Sequence, residues 1–178
     1  YMKQHKRNHP WLAEHTLARG YDDLYLFDPD GNLVYSVFKN TDFGDNFLEG
    51  PNRGSGLARA FRTAVENAEG EQVFADFTSY EAKYGQPAAF LAEPIYAQGK
   101  LRGVVAVQLP IHKLDAIMQN VVGLGASGET YLAGGDGLWR NNSRLSDTPS
   151  LLAFEVDAAI TKSAVAGNSG FETFTDSL

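Results

Sequence analysis

Several polar groupings in this chain have residue types suited to chemistry. Asp28-x-Asp30-Gly31-Asn32 opens like a calcium loop, in which alternating carboxylates and a glycine turn present oxygen ligands. Such a loop needs a bidentate acid at its twelfth position, which here is Lys39, so the segment reads as a hairpin turn. Asp42-Phe43-Gly44 matches a kinase triplet, but no glycine-rich loop, strand lysine or His-Arg-Asp accompanies it. A nucleophilic serine would need an elbow of the Gly-x-Ser-x-Gly type and a base. No elbow occurs, and His112 is the one histidine beyond the first nineteen residues. His5 and His9 can share a helix face but lack a third ligand, so no metal site is expected. A small hydrolase therefore has almost no residue support; no catalytic residue and no cofactor is assigned.

Binding chemistry has better candidates. In the run 73–78, Phe74, Asp76 and Thr78 alternate with Val73, Ala75 and Phe77, so Asp76 is a polar residue in an otherwise half-buried strand. Gln108 breaks the apolar run Val104–Leu109 on the face it shares with Val104 and Ala106. Small residues beside a polar one leave room for a guest. Tyr80 and Tyr84 follow the first of these strands, where their rings could close over such a cavity. Asp76, Tyr80, Tyr84, Phe90 and Gln108 are the expected lining, with Arg53 as an anion partner from a loop; ligand sites combine apolar walls with a few convergent polar groups. The plainer alternative has Asp76 capping a turn, Gln108 facing solvent and the tyrosines lining a sheet edge.

These residues need elements to hold them. Residues 10–19 read as the tail of a helix, with Pro10 in its first turn and Gly20 as its C-cap. Asp23–Phe27 and Leu33–Phe38 read as strands of a hairpin turned at Asp28-Pro29-Asp30-Gly31. Residues 39–54 read as an irregular connection. Ser55 then caps a helix carrying Leu57, Ala60, Phe61, Ala64, Val65 and Ala68 at helical spacing. Val73–Thr78, Ala88–Tyr96 and Leu101–Leu109 read as three further strands, the last two joined at Gln98-Gly99, and Pro110 opens a helix over Ile111–Val122. Five antiparallel strands with helical material on one side make an α+β plan.

Composition narrows the function classes. A net charge of −7 argues against a general nucleic-acid binder, which needs clustered Lys and Arg. With no cysteine there is no disulfide, thiolate metal site or thiol nucleophile. The longest apolar runs, Gly103–Val107 and Leu151–Phe154, fall well short of the ~20 residues that span a bilayer. Lys3, Lys6, Arg7 and Arg19 give the first nineteen residues a basic character beside a single acid, Glu14. This leader suits a position near anionic headgroups, or simply a solvated helix face.

The chain also repeats itself. At a shift of 106, Tyr25-Leu26 falls on Tyr131-Leu132, Asp30-Gly31 on Asp136-Gly137 and Leu33 on Trp139. At a shift of 100, Ala64-Val65 falls on Ala164-Val165, Gly70 on Gly170, Phe74 on Phe174 and Asp76 on Asp176. Their common order predicts a second unit over 123–178 whose connection is six residues shorter. That unit reaches only the equivalent of Thr78, so its last two strands are expected to be cut off or supplied by another chain.

The segments carry a family resemblance as well. Tyr21–Tyr35 resembles the opening hairpin of double Cache sensor domains, which share the PAS-like order of elements. Lys39–Gly44 resembles the connection that follows, and Gly50-Pro51 with Ser55–Ala58 the family's helix entry. Asp76–Tyr80 and Pro87–Ala92 resemble its third and fourth strands, and Gly123–Tyr131 the crossing into the membrane-proximal unit. The resemblance implies an N-terminal helix over 1–20, a membrane-distal PAS-like unit over 21–110, a linking helix over 111–122 and a partial second unit over 123–178.

It further implies the periplasmic or otherwise extracytoplasmic part of a bacterial inner-membrane receptor, anchored by helices outside this chain. Such modules feed chemoreceptor, histidine kinase or nucleotide cyclase outputs. A small ligand would sit in the distal unit, the N-terminal helix would pass the signal on and form a homodimer, and no nucleic acid would bind. The amino-acid-binding subset of the family carries Arg-x-Trp-Tyr; its absence here argues against an amino-acid ligand. The alternative is a structural or dimerisation spacer that senses no small molecule or contacts a partner protein.

Overall fold

The computed structural model describes residues 2–156 and 158–171. They fall into two compact units, Tyr1–His112 and Lys113–Leu178. The first opens with helix α1, Met2–Arg19, which starts eight residues before the expected stretch and carries Pro10 inside rather than at its first turn. Gly20 ends it at φ +68°, its amide on the Leu17 carbonyl. Strands β1 (Asp23–Phe27) and β2 (Leu33–Ser36) form the expected hairpin. Its turn is tied by the Asp28 carboxylate, which accepts from the amides of Asp30 and Asn32.

Ser55 caps helix α2 (Gly56–Glu66) by accepting from the Ala58 amide, as its sequence anticipates. Strands β3 (Val73–Tyr80), β4 (Gln86–Ala97) and β5 (Lys100–Gln108) follow; β3 and β4 run beyond their expected bounds as the backbone ladder continues into polar ends, and β5 lies one residue earlier than expected. The sheet has the order β2-β1-β5-β4-β3, all pairs antiparallel.

The pleat sorts side chains to two faces. Tyr25, Phe27, Leu33, Ala75, Ala88, Phe90, Ala92, Val104 and Ala106 point inward and pack with Leu57, Phe61 and Ala64 of α2 and with Phe47. Burying Leu57 and Phe61 contributes roughly 1.5–3 kcal/mol each, which holds α2 across the sheet. On the outer face Leu24, Tyr35 and Val37 pack with Leu12 and Ala13 of α1. Helix α3 (Ile111–Met118) ends sooner than its apolar stripe suggests.

The second unit repeats backbone hydrogen bonds of the first. Gly31 N–Asp28 O and Asp28 N–Asn32 O recur, 106 positions on, as Gly137 N–Gly134 O and Gly134 N–Leu138 O. The pair Phe27–Leu33 recurs as the bridge Ala133–Trp139. Beyond the hairpin the offset becomes 109: Leu33 N–Asp45 O and Phe47 N–Gly31 O recur as Trp139 N–Phe154 O and Val156 N–Gly137 O. Helix α4 (Ala158–Val165) stands 100 positions after 58–65 of α2. Along these matches the offset rises by three and then falls by nine, where the sequence comparison expects a single shortening of six. Among the described residues this unit has isolated bridges and no sheet. The matches at Phe174 and Asp176 lie outside the described residues.

Candidate ligand-binding site

Towards the C-terminal end of β5 the inner face of the sheet turns polar. Register sets Asp23 opposite Gln108, and Gln108 opposite Phe90. Tyr25, two residues along β1 from Asp23, donates its hydroxyl to Gln108 Oε1 at 3.2 Å. On the far side, Tyr80 closes β3 and donates to Asp42 Oδ2 at 2.5 Å. The Phe90 ring lies between the two phenols, edge-on to Tyr25 at 6.0 Å and to Tyr80 at 5.2 Å. Asp23, Tyr25, Asp42, Tyr80, Phe90 and Gln108 are all buried.

Each acid is held by its connection. The Asp23 carboxylate accepts from the amides of Leu24 (2.8 Å), Val37 (3.1 Å) and Phe38 (3.4 Å) and from Asn40 Nδ2 (3.3 Å). Even so, burial pushes its pKa up to about 6, against those amides and the Lys83 charge. Asp42 sits in the connection after β2, where its carbonyl accepts from the Asp45 amide and Gly44 turns at φ +84°. Burial raises its pKa also, opposed by the Tyr80 hydroxyl and Lys83. Asp22, half-buried at the edge of the row, is raised by burial with Lys83 and His112 opposing. Burial, reinforced by the neighbouring carboxylates, keeps the Tyr25 and Tyr80 phenols protonated.

Two buried polar atoms in this region have no partner, Asp42 Oδ1 and Thr78 Oγ1. An unmet buried acceptor costs about 1–3 kcal/mol, so such atoms mark places that a ligand can satisfy. Thr78 lies beneath the start of α2. A Cβ on Gly56 would stand 3.0 Å from Thr78 Oγ1 and 3.5 Å from Phe90 Cδ2. Glycine at the first helical position therefore lets the helix N-terminus approach the row closely.

Tyr80, Phe90 and Gln108, expected from the sequence, are brought together here. The other three are placed elsewhere. Tyr84, expected to close over the cavity, adopts φ +57° after a short 3-10 turn and stands 93% exposed. Arg53 is exposed in the 3-10 turn Pro51–Gly54, its guanidinium on the Gly50 carbonyl. Asp76 falls where β3 bulges against β4, and its carboxylate accepts from the Phe77 amide. The bulge between Ala75 and Thr78 interrupts strict alternation, which is why reading β3 as a regular strand misassigns its faces.

Asp23, Tyr25 and Asp42 join this cluster although the sequence reading does not single them out. The first two were legible as an acid and a phenol on the inward period of β1; Asp42 is one of several Asp and Asn in a loop, with nothing local to single it out. A cleft of about 280 Å3 opens on the other side of the sheet, lined by His15, Tyr21, Leu24, Leu91, Val105 and Val107 among others. It lacks an unpartnered buried side chain, and its Gln72 and Glu93 bond to each other at 3.0 Å.

No family model matches the chain. A probable chemoreceptor, y4sI of Sinorhizobium fredii, is 23% identical over 148 residues, covering 82% of this chain and 18% of that protein. The sensory domain of the Campylobacter jejuni chemoreceptor Tlp3 superposes with a TM-score of 0.57 at 14% identity, over 88% of this chain and 58% of that one. The ligand-binding domain of the Pseudomonas aeruginosa amino-acid chemoreceptor PctC, in complex with GABA, gives 0.56 at 16% identity, over 78% and 55%. The sensor domain of the Vibrio cholerae histidine kinase DctB gives 0.53 at 20% identity, over 67% and 43%. The chain spans about a fifth of the curated relative and about half of these solved domains. With the β2-β1-β5-β4-β3 sheet and its covering helix, the chain has the Cache-type fold of chemoreceptor and histidine-kinase sensor domains.

Proposed function

We propose that the chain is the small-molecule-sensing part of an extracytoplasmic receptor domain, with the ligand held on the inner face of the first unit. The observation that carries this reading is a buried polar row at one end of an otherwise apolar sheet face, with two oxygen atoms left unmet, Asp42 Oδ1 and Thr78 Oγ1. Tyr80, Phe90 and Gln108 are its sheet-borne members, joined by Asp23, Tyr25 and Asp42. That structural neighbours are ligand-binding domains, one carrying GABA and another L-serine, supports a small-molecule occupant. The second unit is read as a partial copy of the first, supported by the recurring hairpin bonds.

Anchoring by membrane helices beyond this chain, and a homodimer through α1, complete the proposal; no helix of the described residues is long and apolar enough to cross a membrane. Trp11 and Leu17, 64% and 63% exposed on α1, support its use as a pairing surface. The domain itself performs no catalytic step in this reading. A ligand shifts signalling only by binding one arrangement of loop and helix better than another.

A thermal-shift screen of carboxylates, amino acids, amines and purines tests the assignment. At 100 times its dissociation constant a ligand adds about 2.7 kcal/mol, which raises the melting temperature by about 5–10 °C for a domain of this size. The shift should vanish in Gln108→Ala and Tyr80→Ala. Silence across the screen from well-folded protein would sink the sensor reading and leave the spacer role.

A further inference from the structure

We propose that α1 is held to the first hairpin by a proton-sensitive clasp, in which neutral His5 accepts a hydrogen bond from Lys39 and protonation of that ring frees the first turns of the helix. The inference goes beyond the sensor reading and needs no ligand. It adds acidity as a second input to the same unit.

The clasp has two contacts. His9 Nδ1 lies 2.8 Å from the Tyr35 hydroxyl, and His5 Nε2 lies 2.6 Å from Lys39 Nζ. The two imidazoles stack with centroids 4.5 Å apart, and each lies 6.0 Å from the Tyr35 ring. Lys39 is fixed at its own end. Its backbone adopts φ +51°, a left-handed conformation uncommon for lysine, and its amide donates to Ser36 Oγ at 3.1 Å. The apolar cluster on this face takes Leu12 and Ala13 from α1, both beyond His9, so the turns before His9 lean on these polar contacts.

Donor and acceptor chemistry decides which contact responds to acid. An ammonium carries three donors and no acceptor, so the Lys39 contact requires a lone pair on His5 Nε2. A charged His5 ring has only donors and would set two cations against each other. The His9 contact survives either form, because a charged ring still donates to the phenol oxygen. His5 is faced by Lys39 from the connection, Tyr35 from β2 and His9 from its own helix. Lys3, Lys6 and Arg7 share that end of α1, whose one acid is Glu14. Desolvation, Lys39 and His9 lower the His5 pKa, in keeping with this arrangement. A released ring titrates near its ordinary value of about 6.5. The clasp is therefore complete above that value and is lost as pH falls through the lower value of the docked ring.

The second unit has a comparable tie built from other groups. There the Asp115 carboxylate of α3 accepts from the Asn142 amide at 2.7 Å and from its Nδ2 at 2.9 Å. At the shift of 106, Asp115 and Asn142 fall on His9 and Ser36. A tie from helix to hairpin thus recurs in each unit, made by imidazoles in the first and by a carboxylate in the second.

Backbone nitrogen-15 relaxation of the full chain between pH 7.5 and 5, with the His5 ring signal followed alongside, tests the clasp. The His5 ring should titrate below its ordinary value. Order parameters of residues 3–9 should fall from about 0.85 to below about 0.6 along the same curve. His5→Gln puts a neutral acceptor in place of the ring, so residues 3–9 should stay ordered throughout. Lys39→Ala should move the His5 titration back towards the ordinary value. Asp23 bonds the same segment from its other side, through Val37, Phe38 and Asn40, and titrates at about 6. Asp23→Asn should therefore leave the loss of order in place.

Order at residues 3–9 that does not change with pH in the unaltered chain would overturn the clasp. So would a loss of order that persists in His5→Gln or disappears in Asp23→Asn, or a His5 titration that Lys39→Ala does not move. None of these outcomes touches the sensor reading, which is decided by the ligand screen.

Discussion

Asp23 shows how a single residue serves the fold and the site at opposite cost. Its carboxylate organises the end of β2 by accepting from Leu24, Val37, Phe38 and Asn40, yet it lies fully buried and its pKa is pushed up to about 6. An unfolded aspartate titrates near 3.9. Between these values the folded chain holds a proton that the unfolded chain has released, so stability falls as pH rises through that window. Above pH 6 the full penalty is present, roughly 2–3 kcal/mol from a shift of about two units. The melting temperature should therefore climb when pH is lowered from 7.5 to 5, and Asp23→Asn should flatten that climb. A profile just as steep in Asp23→Asn would place the dependence elsewhere. Tyr80 works in the same economy of partners, since it satisfies one oxygen of Asp42 and leaves the other open.

At the level of elements, the buried polar row depends on β5 lying in register between β1 and β4. Gly103 is the position that permits this. It adopts φ +156°, and a Cβ there would fall 2.0 Å from the Phe27 carbonyl oxygen, where β5 passes β1. Gly103→Ala should cost about 3 kcal/mol or more, because strain and a backbone clash add and neither strand end can retreat without breaking the ladder. Gly99→Ala is the control. It sits at φ +70° with open space around it, so it should lose only the left-handed penalty of about 1–2 kcal/mol. Urea unfolding of both variants decides the matter; equal losses would mean that strain alone sets the cost.

Helix α1 is tied to the same hairpin by contacts no strand pattern announces. His9 Nδ1 lies 2.8 Å from the Tyr35 hydroxyl, and His5 Nε2 lies 2.6 Å from Lys39 Nζ, just beyond the strand end that Asp23 organises. Desolvation, Lys39 and His9 together lower the His5 pKa, which favours the neutral ring that can accept from the lysine. In the proposed receptor this links the helix to the ligand row through one short segment, 35–40.

Among the described residues, the first unit contains all five strands, both apolar clusters and the whole buried polar row. About 110 residues around one core is the ordinary size of an independent domain, and such domains unfold in a single step. A fragment spanning 1–112 should therefore unfold cooperatively in urea and retain the near-ultraviolet signal of its buried tyrosines. A broad, non-cooperative transition would show that the first unit needs the second.

The sequence by itself determined the local grammar: the hairpin at Asp28–Gly31, the Ser55 cap, the Gly20 stop and five strands. These depend on backbone dihedrals and on hydrophobic period, which neighbouring residues dictate. It also reached Gln108, because an inward polar residue shows in the alternation of a strand, and Phe90 beside it; Tyr80 was expected in the loop after β3 and is instead the last residue of that strand. What only the tertiary structure decided was the company those residues keep. The β3 bulge turned Asp76 onto its own strand, a left-handed turn put Tyr84 in solvent, and the connection after β2 carried Asp42 onto Tyr80, 38 positions away. None of these follows from periodicity, since a bulge costs one residue and a loop can place any of its acids inside. Folding completed the buried polar row, where an otherwise ordinary loop aspartate is left with one oxygen on Tyr80 and the other unmet.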